Sequence, residues 1–235
     1  DKIIGMRDPF GIRPLCIGKL PDNKGFVVAS ESCALDIVGA ELIRDVQKGE
    51  IVILEKAGVK SHIYDNTAEK ALCVFEYIYF ARPDSYIDGK NIYRLRERMG
   101  MQLFKENPVD ADIVIAVPDS GIPAAIGYAK ASKLPYEEGL IKNRYVGRTF
   151  INPSQLLRDL GVRIKLNPLR EVLQGKRVIV VDDSFVRGTT SAKIVKLLRD
   201  AGAKEVHFRV SSPPNISPCF YGIDTATKEE LIAAN

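Results

Sequence analysis

Two regimes of apolar patterning divide the chain. Up to about residue 67, apolar positions fall in short β-branched runs, clearest at Gly25–Ser30 and Glu50–Leu54. Turns at Pro21–Asn23 and Lys48–Gly49 separate them, which predicts a β-rich section. Ser32–Val38 predicts one short helix, capped by Ser30 or Ser32. Asp1–Asp8 enters strand-like residues at once and Pro9-Phe10-Gly11 turns, so the chain reads as beginning inside a domain.

From about residue 68, strands alternate with helices. Asn91–Glu106 sets Leu95, Met99 and Leu103 on one helical face, with Arg94, Arg96 and Arg98 mostly off it. Ile113–Val117 is a buried-type strand, followed by Pro118-Asp119-Ser120-Gly121 and a helix from about Pro123, a residue suited to a first turn. Val178–Val181 starts a second such unit. Its helix is predicted over Ser191–Asp200, with Ile194, Val195, Leu197 and Leu198 inward and Gly202 as the stop. Val206–Val210 is a further strand. This alternation predicts an α/β fold with a mainly parallel sheet and flanking helices. Between the units, Lys142–Arg170 carries seven basic residues against one acid, Asp159, and its weak apolar period predicts a long cationic loop.

Bulk composition narrows the class. The chain has 235 residues, 46% apolar and 27% charged, with a net charge of +4. That charge is mild, so nucleic-acid or membrane binding is not expected from the total. No apolar run approaches the roughly 18–20 residues that span a bilayer, and no signal-peptide pattern opens the chain. A cytoplasmic enzyme or binding protein is expected. The four cysteines, Cys16, Cys33, Cys73 and Cys219, are scattered with no C-x-x-C pair, against a disulfide framework or a self-contained zinc site.

The densest chemistry lies at Val178–Thr190, Val-Ile-Val-Val-Asp-Asp-Ser-Phe-Val-Arg-Gly-Thr-Thr. A lone Asp-Asp is more often a cap or turn. Here the pair ends a β-branched strand and precedes a loop with one glycine and three hydroxyl residues, then a helix. Adjacent carboxylates repel, yet they suit a vicinal diol or a hydrated Mg²⁺. The glycine and the free amides of the coming helix suit a phosphate. No Walker-type P-loop and no G-x-G-x-x-G after a strand occurs. Pro118–Gly121 is a second candidate ligand loop, expected on the same edge of a parallel sheet. The basic stretch reads as a lid over an anion or as a solvated surface.

Val178–Thr190 resembles the phosphoribosyl diphosphate (PRPP) signature of type I phosphoribosyltransferases. Three further stretches are similar to the glutamine PRPP amidotransferase family: Arg7–Leu15, Phe75–Ser85 and Lys142–Ile151. The resemblance implies a type I phosphoribosyltransferase fold over 69–235, preceded over 1–68 by the end of an N-terminal-nucleophile glutaminase domain. It implies that ammonia from glutamine displaces pyrophosphate from PRPP, giving 5-phosphoribosylamine. Asp182 and Asp183 would serve the ribose hydroxyls and Mg²⁺. Ser184, Val186, Arg187, Gly188, Thr189 and Thr190 would cradle the 5-phosphate. Pro118, Asp119, Ser120 and Gly121 would hold the pyrophosphate, with Ser120 near the metal. Lys142, Tyr145 and Arg148 belong to the implied lid. Purine nucleotides as feedback inhibitors and a homo-oligomer, a tetramer in the family, are also implied.

The sequence departs from the family in three places. The family's nucleophilic N-terminal cysteine is not among these residues, and the family continues past the equivalent of Asn235. The polypeptide as given is expected not to hydrolyse glutamine; PRPP-dependent release of glutamate would overturn that expectation. Phe185 stands where the family usually carries Ile and is expected to pack. Cys73 and Cys219 fall where the Bacillus-like branch places two of four ligands to a [4Fe-4S] cluster, whereas Cys16 and Cys33 are expected to be structural. Two rival functions are a purine-salvage phosphoribosyltransferase and a non-catalytic PRPP-sensing regulator. The first expects a base-binding hood and the second a DNA-binding module, and neither is visible.

Overall fold

A computed structural model describes residues 1–145, 165–225 and 227–234. The chain separates into two units, Asp1–Leu95 and Arg96–Asn235.

The first unit is β-rich. Strands β1 (Ile3–Met6), β5 (Glu50–Glu55) and β6 (Gly58–Ile63) form one antiparallel sheet in the order β1-β5-β6. Strands β2 (Cys16–Lys19), β3 (Phe26–Ala29) and β4 (Glu41–Asp45) form another, ordered β3-β2-β4. Ile17, Val46, Val52 and Leu54 make its main core. The period-two burial of β5 supplies Val52 and Leu54.

Helix α1 (Ser32–Ile37) is found as predicted, but its cap is neither Ser30 nor Ser32. Glu31 occupies the cap position without capping through its side chain. Its Oε2 accepts hydrogen bonds from the Arg82 amide at 2.7 Å and Ser85 Oγ at 2.8 Å, and Ser32 Oγ accepts from the Tyr86 amide at 2.8 Å. Long-range partners outcompete the local cap. The same ties hold Arg82–Tyr86 to the start of α1 within the first compact unit. The amides of Ala71 and Cys73 donate to Phe10 and Ile12 carbonyls at 2.8 and 2.9 Å, so 69–95 packs within the first unit. This stretch includes a π-helix, Glu76–Phe80, and the short pair β7 (Tyr86–Ile87) and β8 (Lys90–Asn91).

Helix α2 (Ile92–Glu106) opens the α/β section. In the second unit, β9 (Ile113–Ala116), β12 (Arg177–Asp182) and β13 (Glu205–Val210) form a parallel sheet ordered β13-β12-β9. Helix α3 (Ile122–Ser132) follows β9, and α5 (Thr189–Asp200) follows β12. Strands β10 (Leu140–Lys142) and β11 (Leu166–Pro168) pair antiparallel, and α4 (Arg170–Leu173) precedes β12.

Both faces of the parallel sheet are covered at β9 and β12, which is why Ile113–Ala116 and Val178–Val181 are continuously apolar, whereas β13 at the end of the strand order carries His207 and Arg209. Ile113, Ile115, Val178 and Val180 pack with Ile194 and Leu198 of α5 on one face. Val114, Ala116, Ile179 and Val181 pack with Ala124, Ala125 and Tyr128 of α3 and Leu103 of α2 on the other. Helices α2 and α3 meet at glycines: a Cβ on Gly100 would stand 1.8 Å from the Ala124 oxygen, and one on Gly127 1.9 Å from the Glu97 oxygen. That contact corrects the expected face of α2. Arg96 and Glu97 are buried, and Met99 is only partly so, because the glycine at 100 sets which side approaches α3.

Candidate functional site

At the amino end of the sheet, Arg177 holds the strand starts together. Its guanidinium bonds Asp112 at 2.9 Å and pairs with Asp110, and the Arg177 hydrogen bonds hold the Asp112 carboxyl down at about 2. The opposite, carboxyl end is where the chemistry gathers. Because β9 and β12 run parallel in register Val181↔Ala116, their following loops emerge on one edge. The Val117 amide bonds the Val181 oxygen at 2.9 Å. Gly121 lets the first loop close on the second: a Cβ there would lie 2.6 Å from the Val181 oxygen and 3.3 Å from the Asp182 Cα. Pro118–Gly121 and Asp182–Asp183 are therefore neighbours, as the sequence predicted. The Pro118–Asp119 peptide is cis.

Four further contacts fix the acid pair. The Ser211 and Ser212 amides donate to the Asp182 and Asp183 carbonyls at 3.1 and 3.0 Å. The Asp183 amide donates to Asp182 Oδ1 at 2.9 Å, and Ser184 Oγ donates to Asp183 Oδ1. Burial, then the adjacent Asp183 charge, pushes the Asp182 carboxyl up to about 7. No Lys or Arg among the described residues pairs with either carboxylate. Two adjacent carboxylates at a strand end fit a divalent cation or a diol.

Beside the first loop lies a cavity of about 610 Å³. Its walls include Pro118, Asp119, Tyr136, Glu138, Lys142, Arg144 and Lys165. Lys142 is the last residue of β10 and forms an ion pair with Asp119. The cationic stretch thus begins and ends in structure: Lys142, Leu166–Pro168 and Arg170 belong to β10, β11 and α4, not to a loop over all of 142–170. Leu140 and Leu166 enter the sheet's core and draw those ends in. The remaining lid expectation, with Arg148, Arg158 and Arg163, falls on 146–164, outside the described residues.

The second loop leads into α5, which starts at Thr189, two residues before the sequence prediction. Thr189 and Thr190 are therefore in its first turn, where backbone amides lack helical acceptors. Gly188 precedes them with φ 70°, a left-handed conformation that suits glycine. Phe185 packs edge-on against Phe208, with ring centroids 5.8 Å apart.

Residues 84–215 match the family described as the Phosphoribosyl transferase domain. The chain belongs to that family. The type I phosphoribosyltransferase fold expected from sequence is present, with its parallel sheet and flanking helices. The amidophosphoribosyltransferase of Synechocystis sp. is 61% identical over 233 residues, covering 99% of this chain and 47% of that protein. That of Bacillus subtilis is 58% identical over 228 residues, covering 97% and 48%. A solved structure of glutamine PRPP amidotransferase from B. subtilis, complexed with ADP and GMP, superposes with a TM-score of 0.90 at 57% identity. It is covered over 51% of its length, against 99% of this chain. The chain spans about half the length of the curated relatives it matches.

Not every phosphoribosyltransferase residue expected at the site gathers there. Tyr145 is 99% exposed and forms no wall of the cavity. Arg187 turns to Glu230, at 2.7 Å, and Asp182–Thr190 contribute nothing to the 610 Å³ cavity. The pins from Ser211 and Ser212, and the cavity residues Tyr136 and Glu138, carry no sequence motif; only the strand order brings them in.

Cys73 and Cys219 are half-buried free thiols, one in each unit. Cys219 Sγ accepts the Tyr221 amide at 3.3 Å, a hydrogen bond that suits a ligating thiolate. Among the described residues no three His, Cys, Asp or Glu side chains converge as a metal site. Cys16 and Cys33 are buried, and burial pushes the Cys16 thiol up to about 11, away from reactivity. No helix of the described residues is long and apolar enough to cross a membrane.

Proposed function

We propose that this chain is the PRPP-binding half of an amidophosphoribosyltransferase. In that reaction ammonia derived from glutamine attacks C1 of PRPP, the C1–O bond to pyrophosphate breaks, and 5-phosphoribosylamine forms, opening purine synthesis. The observation that carries the reading is the meeting of Pro118–Gly121 with the Asp182–Asp183 pair on one sheet edge. The 57–61% identity to amidophosphoribosyltransferases supports the choice of ammonia as nucleophile.

Ammonia is already nucleophilic, so no general base is required. The demands are a stabilised leaving group and tolerance of positive charge developing on the sugar. Lys142, Arg144 and Lys165 offer cations beside Pro118–Gly121, which would take the pyrophosphate. Asp182 and Asp183 would accept the ribose hydroxyls. Ser184–Thr190 and the first-turn amides of α5 would hold the 5-phosphate. Tyr145 and Arg148 would join on closure of the basic segment, which would exclude water. Mg²⁺, held by Asp182, Asp183 and Ser120, would neutralise pyrophosphate charge.

The rest of the assignment follows the same family reading. Residues 1–68 would be the end of a glutaminase domain and 69–235 the phosphoribosyltransferase domain. Cys73 and Cys219 would be two thiolate ligands of a [4Fe-4S] cluster. Purine nucleotides would act as feedback inhibitors, and the protein would be a cytoplasmic homo-oligomer without nucleic-acid or membrane partners. The test is pyrophosphate release from PRPP with Mg²⁺. Release is expected with ammonium salts and not with adenine, guanine or hypoxanthine; release with a purine base instead would identify a salvage enzyme.

A further inference from the structure

A loop that holds a phosphate through backbone amides must itself be held, and Ser184–Thr190 contains a glycine in the left-handed region. Its supports come from the C-terminal segment. The Ile232 amide donates to the Val186 oxygen at 3.0 Å. Ile232 Cδ1 lies 3.0 Å from where a Cβ on Gly188 would stand. Arg187 donates through Nε and Nη2 to Glu230 Oε2 at 3.1 and 2.7 Å, and through Nη2 to the Asp224 oxygen at 3.3 Å. Leu231, between the two anchors, is fully buried. The Nε–Nη2 edge of a guanidinium is a fork that can grip a phosphate, and here a carboxylate occupies it.

We infer that Arg187 and Glu230 are a positioning pair: the C-terminal segment braces the 5-phosphate loop, and Arg187 serves the loop through Glu230 without touching the phosphate. The inference rests on the reading of Ser184–Thr190 as a phosphate cradle. Both partners are about two-fifths exposed, so their attraction contributes little to global stability. Its effect is local, on the placement of the Gly188–Thr190 amides.

The test measures PRPP affinity by calorimetry with Mg²⁺, alongside the melting temperature. Arg187→Gln and Glu230→Gln are each expected to weaken binding about fivefold, and the double variant no more than either alone. The exchange Arg187→Glu with Glu230→Arg is expected to recover affinity to within about twofold of the parent, which neither a phosphate contact nor a general loss of folding would allow. Should Arg187→Gln unfold, Arg187→Lys supplies the same comparison with the charge kept. A loss near a hundredfold on changing Arg187, with Glu230→Gln neutral or tighter, would make Arg187 a phosphate ligand and overturn the inference. Unchanged affinity in both single variants would overturn it as well. If the parent binds neither PRPP nor ribose 5-phosphate, the cradle reading itself falls.

Discussion

Replacing Gly127 by alanine is expected to destabilise the protein by about 3 kcal/mol and lower its melting temperature by roughly 6–12 °C. Helix propensity alone gives the opposite sign, since alanine is favoured over glycine in a helix by about 1 kcal/mol. The contact decides the matter. The new methyl would stand 1.9 Å from the Glu97 carbonyl oxygen, and that atom is backbone inside α2, so no side chain can rotate away. The helices must separate, which loosens the face where Val114, Ala116, Ile179 and Val181 pack on Ala124, Ala125 and Tyr128. Gly100→Ala meets the Ala124 oxygen at 1.8 Å and should behave alike. Thermal melts followed by circular dichroism test the claim; a midpoint equal to or above the parent's would refute it.

Asp182→Asn should have two large and opposite effects. In EDTA, with no cation at the site, the variant is expected to be more stable than the parent at pH 8, by a margin on the order of 3 kcal/mol. The folded-state value of Asp182 is raised to about 7 from an ordinary 3.8, by burial first and by the Asp183 charge second. Below the unfolded value the carboxyl is protonated in both states and carries no penalty. As pH rises from about 4 to about 7, the unfolded chain releases a proton that the folded chain keeps, and parent stability declines. Above that window the deficit is constant. Asparagine has no charge to bury, so urea melts across pH 4–8 should show the variant diverging upward. Parallel profiles would show that Asp182 is not held in a penalised state. The same variant should bind PRPP with Mg²⁺ roughly tenfold to a hundredfold more weakly, having lost a charged acceptor. Unchanged affinity would remove Asp182 from the site.

Much of the fold was legible locally. Ile113–Val117 and Val178–Val181 read as strands buried on both faces because each is continuously apolar, and Val206–Val210 as a further strand from its alternating apolar residues, and all three lie in the parallel sheet. The α1 cap was not legible, because Glu31 and Ser32 bond to residues more than 50 positions away. The burial of Arg96 was hidden too: a charged residue in a helical pattern reads as exposed unless the glycine contact of its neighbour is known. Asp182 and Asp183 stand out from sequence as candidate residues by chemical type and by their place at a strand end. The pairing of Arg187 with Glu230 was not legible, since a cation in such a loop suggests a ligand contact and its partner lies 43 residues on.

Periodicity and residue chemistry therefore suffice for the two strand–loop–helix units and for the adjacent carboxylates, glycine and hydroxyl residues of their loops, since those depend on neighbours within a turn or a strand. The long-range pairing of Val117 with Val181 brings the two loops together and sets Gly121 against Asp182, whose carboxyl is raised by burial and by the neighbouring Asp183 charge. Strand order and burial depend on contacts between distant residues, so the electrostatics of Asp182 and the bracing of Arg187 exist only once the chain has folded.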